Sequence, residues 1–416
     1  MQLSKKKIAG LLSAATCSLL GGPGQAAESE WEVDSAILFY NESGGRVSVV
    51  EPVISAKKDL GDDEILSMKL VLDSLTGASP NGATPSTQVQ TFIRPSGNGT
   101  YQVQPNETPL DDSFLDTRVS FGMNWDKPLD RDNRRNLGFN ISKEYDFFSL
   151  SGNALWQHDM NQKNTTITSG INIELDQIDP VGGAPVGLTD MLDQNKASGT
   201  ESREIVDLLF GVTQVIDRTS LFQVNLSLSQ ANGYLTDPYK LLSVVDDVTG
   251  QPTRYLYEQR PDSRFRQSLY GKYKKQLANR DVFTASYRFM TDDWDVDSHT
   301  FDFTYRFKIN NGYFIQPHLR FYQQTSTNFY RYFLLDSEAV PGFASADYRL
   351  GDMQATTVGV KFGKETESKH LWSARLEYYL QTGDSSPAEA VGQLQQQNLY
   401  PDVDALIVQF NYSFRW

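Results

Sequence analysis

Four aspartates within residues 291–297, namely Asp292, Asp293, Asp295 and Asp297, are the densest set of candidate ligands in the chain. Hard carboxylate oxygens packed this closely suit Ca²⁺, but the spacing is not that of an EF-hand loop, and acidic surface turns are common. Asp176, Asp179, Asp190 and Asp193 form a looser version of the same pattern. Acid–base or nucleophilic chemistry would need a histidine with a nucleophile or an acid beside it. Of the four histidines, His299 next to Ser298 is the one placed to act as a hydrolase base. His158 and His370 fall in short turns or at strand starts, and His318 shares a strand face with Arg320. No Gly-rich phosphate loop and no histidine pair at metal-ligand spacing is present. A polar rim residue and a solvated acidic turn are the preferred readings. No enzyme activity is therefore expected, and Ca²⁺ at residues 292–297 is the one cofactor candidate.

The N-terminus is of another kind. Lys5, Lys6 and Lys7 precede an apolar stretch from Ile8 to Leu20; Gly21-Gly22-Pro23 breaks it, and Gln25-Ala26-Ala27 supplies small residues for cleavage. The stretch is too short to cross a bilayer as a helix and reads as a secretory signal spanning residues 1–27. A lipid anchor on Cys17 is disfavoured, because Ala14-Ala15-Thr16 is a poor lipobox. Cys17 is the only cysteine, so residues 28–416 hold no disulfide, thiolate nucleophile, cysteine zinc site or c-type haem attachment. The formal net charge is −14; the leader takes away three lysines and no acid, leaving 35 Lys+Arg against 52 Asp+Glu, or −17. So acidic a chain is a poor nucleic-acid binder. No apolar run of 18 residues follows the leader, yet aromatics reach 12%. Exported, polar on average and rich in aromatics is the profile of a membrane β-barrel, whose strands are apolar on one face only.

The C-terminus carries the clearest strand signal. Every second residue from Leu406 to Trp416 is apolar or aromatic, which places them on one strand face. Phe410, Tyr412, Phe414 and the terminal Trp416 are similar to the signal read by the outer-membrane assembly machinery. The same template predicts sixteen strands: 31–40, 46–56, 64–74, 117–125, 136–143, 147–156, 165–175, 204–215, 220–229, 263–274, 281–290, 298–308, 312–323, 355–364, 370–381 and 404–416. Connections after even-numbered strands never exceed 10 residues, whereas five of those after odd-numbered strands run from 22 to 42. This asymmetry predicts an all-β, transmembrane antiparallel barrel of about 16 strands with periplasmic termini and long extracellular loops. Trp31, Trp125, Trp156, Trp372 and Trp416 all then fall at the periplasmic interface, where an indole is favoured. Pro52 and Pro317 lie inside predicted strands and imply a bulge or a misplaced boundary. The first strand follows the leader closely, so a plug domain is not expected, although infolded loops such as 75–116 or 176–203 could narrow the opening.

Alternation also assigns faces. The inward set of strands ten to sixteen includes Arg264, Arg266, Lys272, Lys274, Arg288, Arg306, Lys308, Arg320, Lys361, Arg375 and Arg415, opposed there only by Asp302 and Glu377. In strands one to nine the inward charges are mostly acidic: Asp34, Glu51, Asp73, Glu144, Glu174 and Asp207, against Lys69 and Arg118. One wall of the lumen is therefore expected to be basic and the other acidic, a field that sets ion preference if the lumen conducts. The alternative is that these charges pair across the lumen and stiffen it.

Several segments carry a resemblance: Ser74–Thr84 (SLTGASPNGAT), Gly233–Lys240 (GYLTDPYK), Arg260–Arg264 (RPDSR), Tyr287–Thr300 (YRFMTDDWDVDSHT), Arg320–Gln324 (RFYQQ) and Ser345–Gly351 (SADYRLG). They resemble an uncharacterised family of predicted outer-membrane β-barrel proteins catalogued only as a domain of unknown function, over nearly the whole chain. The resemblance implies location and fold but no substrate. It also implies company with small lipoproteins, thioredoxin-like proteins and flavin-transfer enzymes. The function expected is porin-like passage or gated export of a small polar or charged solute. The other reading is a non-conducting barrel that scaffolds a periplasmic redox or surface partner, with a hydrolase a distant third. The partners expected are outer-membrane lipid, the barrel-assembly machinery and a periplasmic protein.

Overall fold

The computed structural model describes residues 31–416 apart from Ser96 and Lys369, so the leader read at residues 1–27 lies outside the described residues. Among the described residues sixteen strands form the wall. They are β1 (Trp31–Glu42), β2 (Ser48–Gly61), β3 (Glu64–Pro80), β4 (Leu110–Pro128), β5 (Asn133–Lys143), β6 (Phe147–Met160), β7 (Thr165–Ile178) and β8 (Glu201–Asp217). Then follow β9 (Ser220–Gly233), β10 (Ser263–Gln276), β11 (Val282–Asp292), β12 (Asp297–Lys308), β13 (Tyr313–Gln324), β14 (Met353–Glu365), β15 (Leu371–Gly383) and β16 (Val403–Arg415). Each pairs antiparallel with the next, and β1 pairs with β16 from Glu32–Arg415 to Glu42–Ala405, which closes the barrel. The backbones of Trp31 and Trp416 clasp each other at the seam, with N–H···O distances of 2.6 and 2.8 Å. Closure leaves no unpaired strand edge. With strands about 4.8 Å apart and tilted by about 40°, sixteen strands enclose a barrel roughly 30 Å across.

All sixteen predicted strands are present. The largest boundary change is at β3 and β4, which stay paired as far as Ser79–Asp111 and Pro80–Leu110. That extension does not keep a strict period of two, since Phe114 and Leu115 are adjacent in it, so the apolar alternation ended before the ladder did. Pro52 and Pro317 need correction: neither makes a bulge or ends a strand. Pairs Val50–Ser74 and Val53–Val71 keep one register across Pro52, and Thr304–His318 and Phe307–Ile315 keep one register across Pro317. Each proline stays paired on its other side, with Ile37 and Val360 respectively. The missing N–H removes rungs from one ladder only, without shifting the register.

One face of every strand is apolar and uncovered. Phe139, Ile173, Phe210, Leu269, Phe303, Val358, Leu376 and Phe410 are each more than a third exposed, and together they girdle the barrel. Trp31, Trp125, Trp156, Trp372 and Trp416 sit on its terminus side, where Lys58 and Lys127 each lie 5.3 Å from an indole. The opposite strand faces carry the charged side chains.

At the end away from the termini the long connections fold together. Residues 81–109 contain a hairpin (Gln90–Ile93 with Thr100–Val103), and residues 234–262 contain another (Leu241–Val245 with Pro252–Tyr257). Leu334–Leu335, from the β13–β14 connection, joins the second hairpin in parallel. Phe92, Leu242, Val245, Leu394 and Tyr400 are fully buried there, and four apolar clusters draw on six connections, the β11–β12 turn with Trp294 among them. Burying each such side chain contributes about 1.5–3 kcal/mol. The connections interlock: Thr84 N–H donates to Ser243 Oγ (2.9 Å), Gln393 Nε2 to Gly250 O (2.9 Å) and Gln397 Nε2 to Asn106 Oδ1 (2.6 Å). Because β9–β10 and β15–β16 are rooted far apart on the rim, these bonds cross the mouth and make a lid over it. The 75–116 and 176–203 connections contribute, but the lid also needs those after β9, β13 and β15.

Candidate functional site

The strand register places the basic set of the last seven strands on the inner wall, level by level. Arg264 ion-pairs Asp292 with Nε 2.8 Å from Oδ2, and its guanidinium lies 4.3 Å from the ring of Trp294. Arg266 donates to Ser229 Oγ (3.2 Å), and Arg288 covers Tyr270. Arg320 stands opposite Asp302 in the β12–β13 pairing, with Lys272 also within electrostatic reach of that carboxylate. Arg306, Lys361 and Arg375 occupy one level nearer the termini, with Lys274 and Lys308 on flanking levels. Arg415 is 3.9 Å from Glu32 at the terminus end of the seam.

The acidic wall is partly neutralised by its own arginines. Asp73 is buried and ion-paired with Arg118, and Glu51 lies beside it. Glu174 and Asp207 are near neighbours, Asp207 accepting from Asn172 (3.1 Å), and Asp176 is bonded by Arg203 Nε at 2.8 Å. Glu144 lies in the β5–β6 turn beside Asp116 and Arg118, and Asp34 sits level with Ser413 and Ser55. Face assignment from the sequence named the charges but could not see Asp176–Arg203, which lies beyond the apolar alternation at the rim.

His318 has a role that alternation could not reveal. Its Nδ1 is 2.8 Å from Glu377 Oε1 and its Nε2 is 2.9 Å from Asp302 Oδ2. Ionised carboxylates only accept, so this bridge between two strands suits a ring with both N–H groups present. The other histidines serve the girdle or the turns. His299 Nδ1 meets Tyr287 Oη at 2.8 Å and its ring lies beside Phe289, on the outer face. Ser298 is buried on the opposite face, so the serine and histidine adjacent in sequence do not meet.

The four aspartates of 292–297 do not converge. Asp292 is engaged by Arg264 and by the N–H groups of Trp294 and Val296 (both 3.0 Å), and Asp293 accepts from the Phe265 N–H (2.9 Å). These bonds build the tight turn under Trp294. Among the described residues no group of three acids or histidines is arranged to hold a metal ion.

The densest charged cluster lies in the lid, where sequence reading had assigned nothing. Arg260 bridges Glu258 (Nε 2.6 Å from Oε1) and Asp347 (Nη2 2.8 Å from Oδ2). Arg349 bonds Asp347 (Nε to Oδ1, 2.9 Å) and Asp237 (Nη2 to Oδ2, 2.7 Å). Ser345 Oγ donates to Glu258, and Lys240 Nζ to the Pro80 carbonyl. Glu258, Asp347 and Lys240 are all nearly inaccessible. Burial pushes Glu258 up to about 6, despite Arg260 beside it. Burial works the same way on Asp347, but Arg349, Lys240 and Arg260 overcome it and hold that carboxyl well below its ordinary range. Three segments that carry the family resemblance, 233–240, 260–264 and 345–351, meet at this cluster, and that coincidence was the available signal.

Solved structures with a similar outline include a bacterial polysaccharide outer membrane secretin (9% identity, 93% of this chain and 98% of that one, TM-score 0.44). OccK11 (OpdR) of Pseudomonas aeruginosa aligns at 8% identity over 94% of this chain and 96% of that one, with a TM-score of 0.41. CdiB from Acinetobacter baumannii aligns at 8% identity over 92% and 60%, with a TM-score of 0.46. Similarity this low fixes neither register nor cargo. No curated protein matches the chain. A family signature matches residues 9–414, and the chain belongs to the family described as "Protein of unknown function (DUF3570)".

Proposed function

We propose that the protein spans the outer membrane of a Gram-negative-type envelope, with periplasmic termini and the lid outside, and passes a small polar or charged solute through its lumen. The observation that carries this reading is the closed sixteen-stranded wall, apolar outside and charged inside. An uncovered apolar girdle of this extent needs lipid as its solvent. Sixteen strands are enough for an aqueous channel, and charge on the wall keeps that space wet. The lid then governs access, which makes the passage gated rather than open. Planar-bilayer recording on purified protein tests the proposal, with discrete current steps as the expected result. The interlocked lid favours one second reading, a non-conducting barrel that holds a periplasmic redox protein or a surface partner. Silent bilayers together with a stoichiometric co-purifying partner would support it over the first.

A further inference from the structure

Five neighbouring strands bring their polar inner residues to one level of the lumen. Gln316 pairs with Lys361, Lys361 with Arg375, and Arg375 with Gln409, each directly across a ladder. The unbroken β12–β13 register sets Arg306 opposite Gln316. The level is therefore Arg306, Gln316, Lys361, Arg375 and Gln409 on β12 to β16, with no carboxylate in it. It lies about 10 Å along the strands from the terminus-side turns, given about 3.3 Å per residue.

Three features make this level more than a run of like charges. First, Lys361 has no acidic partner among the described residues: the charged groups that act on it are Arg375 and Arg306. Second, the two guanidinium groups are fixed but unsaturated. Arg306 lies 3.7 Å from the ring of Phe314, which is buried against Gly363, where any side chain would collide with that ring. Arg375 bonds Gln409 and is 3.5 Å from Glu377. Nε of each arginine is buried without a hydrogen-bond partner. Third, the acids one and two levels higher are already engaged, because His318 bonds both Glu377 and Asp302, and Glu365 on the terminus side acts on Arg306 through space without forming an ion pair with it. Glu377 lies across Gly359, a position with no room for a side chain of its own. Buried donors left open beside three cations are costly unless a ligand completes them.

We propose that Arg306, Lys361 and Arg375 bind an oxyanion, the carboxylate or phosphate group of a small anionic solute, on the inner wall near the terminus end of the lumen. Guanidinium forks match such groups bidentately and the ammonium adds a point charge, while Gln316 and Gln409 offer neutral donors at either side. The site rests on the reading of the lumen as a water-filled path, and it makes the passage selective for anions despite the acidic chain.

The test is phosphorus NMR of inorganic phosphate titrated with the detergent-solubilised, full-length protein. Saturable line broadening is expected for the wild type, retained in Lys361→Arg and weakened about tenfold or more in Lys361→Gln, because charge-assisted hydrogen bonds are lost. Lys69→Gln, on the acidic wall, should bind as the wild type does. Heat-modifiable migration checks the fold, and Arg375→Gln serves if Lys361→Gln fails to assemble. Absence of saturable binding by the wild type, or equal binding by Lys361→Gln and Lys69→Gln, overturns the site. Phosphate binding without bilayer current leaves the site standing and removes the channel reading. Current without phosphate binding removes the site alone.

Discussion

Asp347 holds the lid's charged cluster together, and its replacement is the most direct probe of whether the lid is a stable, closed structure. In the cluster, Lys240, Arg260 and Arg349 face Asp237, Glu258 and Asp347, so the charges balance at three against three. Asp347→Asn keeps size and an acceptor oxygen but leaves three cations facing two acids in a site where Asp347 is 1% exposed. Removing one partner of a buried pair costs about 3–5 kcal/mol, because the remaining charge is uncompensated. The lower figure, at about 1.4 kcal/mol per decade, raises the opening equilibrium of the β13–β14 connection by about a hundredfold. The barrel ladders carry none of these bonds, so heat-modifiable migration should not change. The assay is amide hydrogen exchange across residues 327–351, where Thr327 N–H donates to Leu350 O and Leu350 N–H to Asp347 O in the closed lid. A change under threefold in those amides, with normal exchange elsewhere, would refute the view that the cluster latches the lid. If the lid also gates the lumen, the same variant should show longer open times in bilayers.

The lid should tighten, not loosen, on mild acidification. Glu258 titrates near 6 when buried against an ordinary 4.5, so the closed lid binds this proton more readily and gains stability as pH falls from 7 towards 5. Asp237 and Asp347 are held low by their cations, so their contribution survives until pH drops below their ordinary 3.8. Exchange of lid amides, corrected for intrinsic rates, should be several-fold slower at pH 5 than at pH 7; faster exchange would reverse the sign argued here. At the seam, replacing Phe414 and Trp416 by polar residues should reduce the heat-modifiable, membrane-fractionated protein, and full recovery of assembled barrel would exclude an assembly role. Orientation is open to single-cysteine labelling, because the chain's one cysteine is Cys17 in the leader region. Val248→Cys, at an 80% exposed lid tip, should react with an impermeant maleimide on intact cells, and Arg218→Cys, in the β8–β9 turn, only after permeabilisation. The opposite pattern inverts the topology.

The wall was legible because a barrel strand solves the same local problem at each position. Lipid outside and polar space inside impose a period of two, and Leu406 to Trp416 shows it without interruption. The period says which face a charge occupies but not how high it sits. Thus Arg306, Lys361 and Arg375 were placed on the inner face by alternation, while their common level comes only from cross-strand register. The same limit applies to His318. Alternation put it beside Arg320, but its two carboxylates lie on other strands, 16 and 59 residues away. The prolines misled for a related reason: the cost of a missing donor was visible, but not that the other ladder would hold the register.

The lid is legible only in part, as infolding of 75–116 or 176–203, because its strands carry another pattern. Leu241-Leu242-Ser243-Val244-Val245 is buried at every position, as expected of a strand covered on both faces, and it lacks the alternation used to find the wall. Such a run inside a connection otherwise rich in Asp, Pro and Tyr is itself a signal: apolar residues with no bilayer to meet must meet each other. Its partners lie in four other connections, so no local reading could assemble it. Yet three of the six segments that carry the family resemblance meet in the lid rather than on the wall. GYLTDPYK, RPDSR and SADYRLG supply Asp237, Lys240, Arg260, Asp347 and Arg349, the polar centre around which the lid closes. A barrel wall tolerates any apolar residue outside and most polar ones inside, so it imposes few identities. A buried cluster of three cations and three acids, by contrast, ties each residue type to its own position.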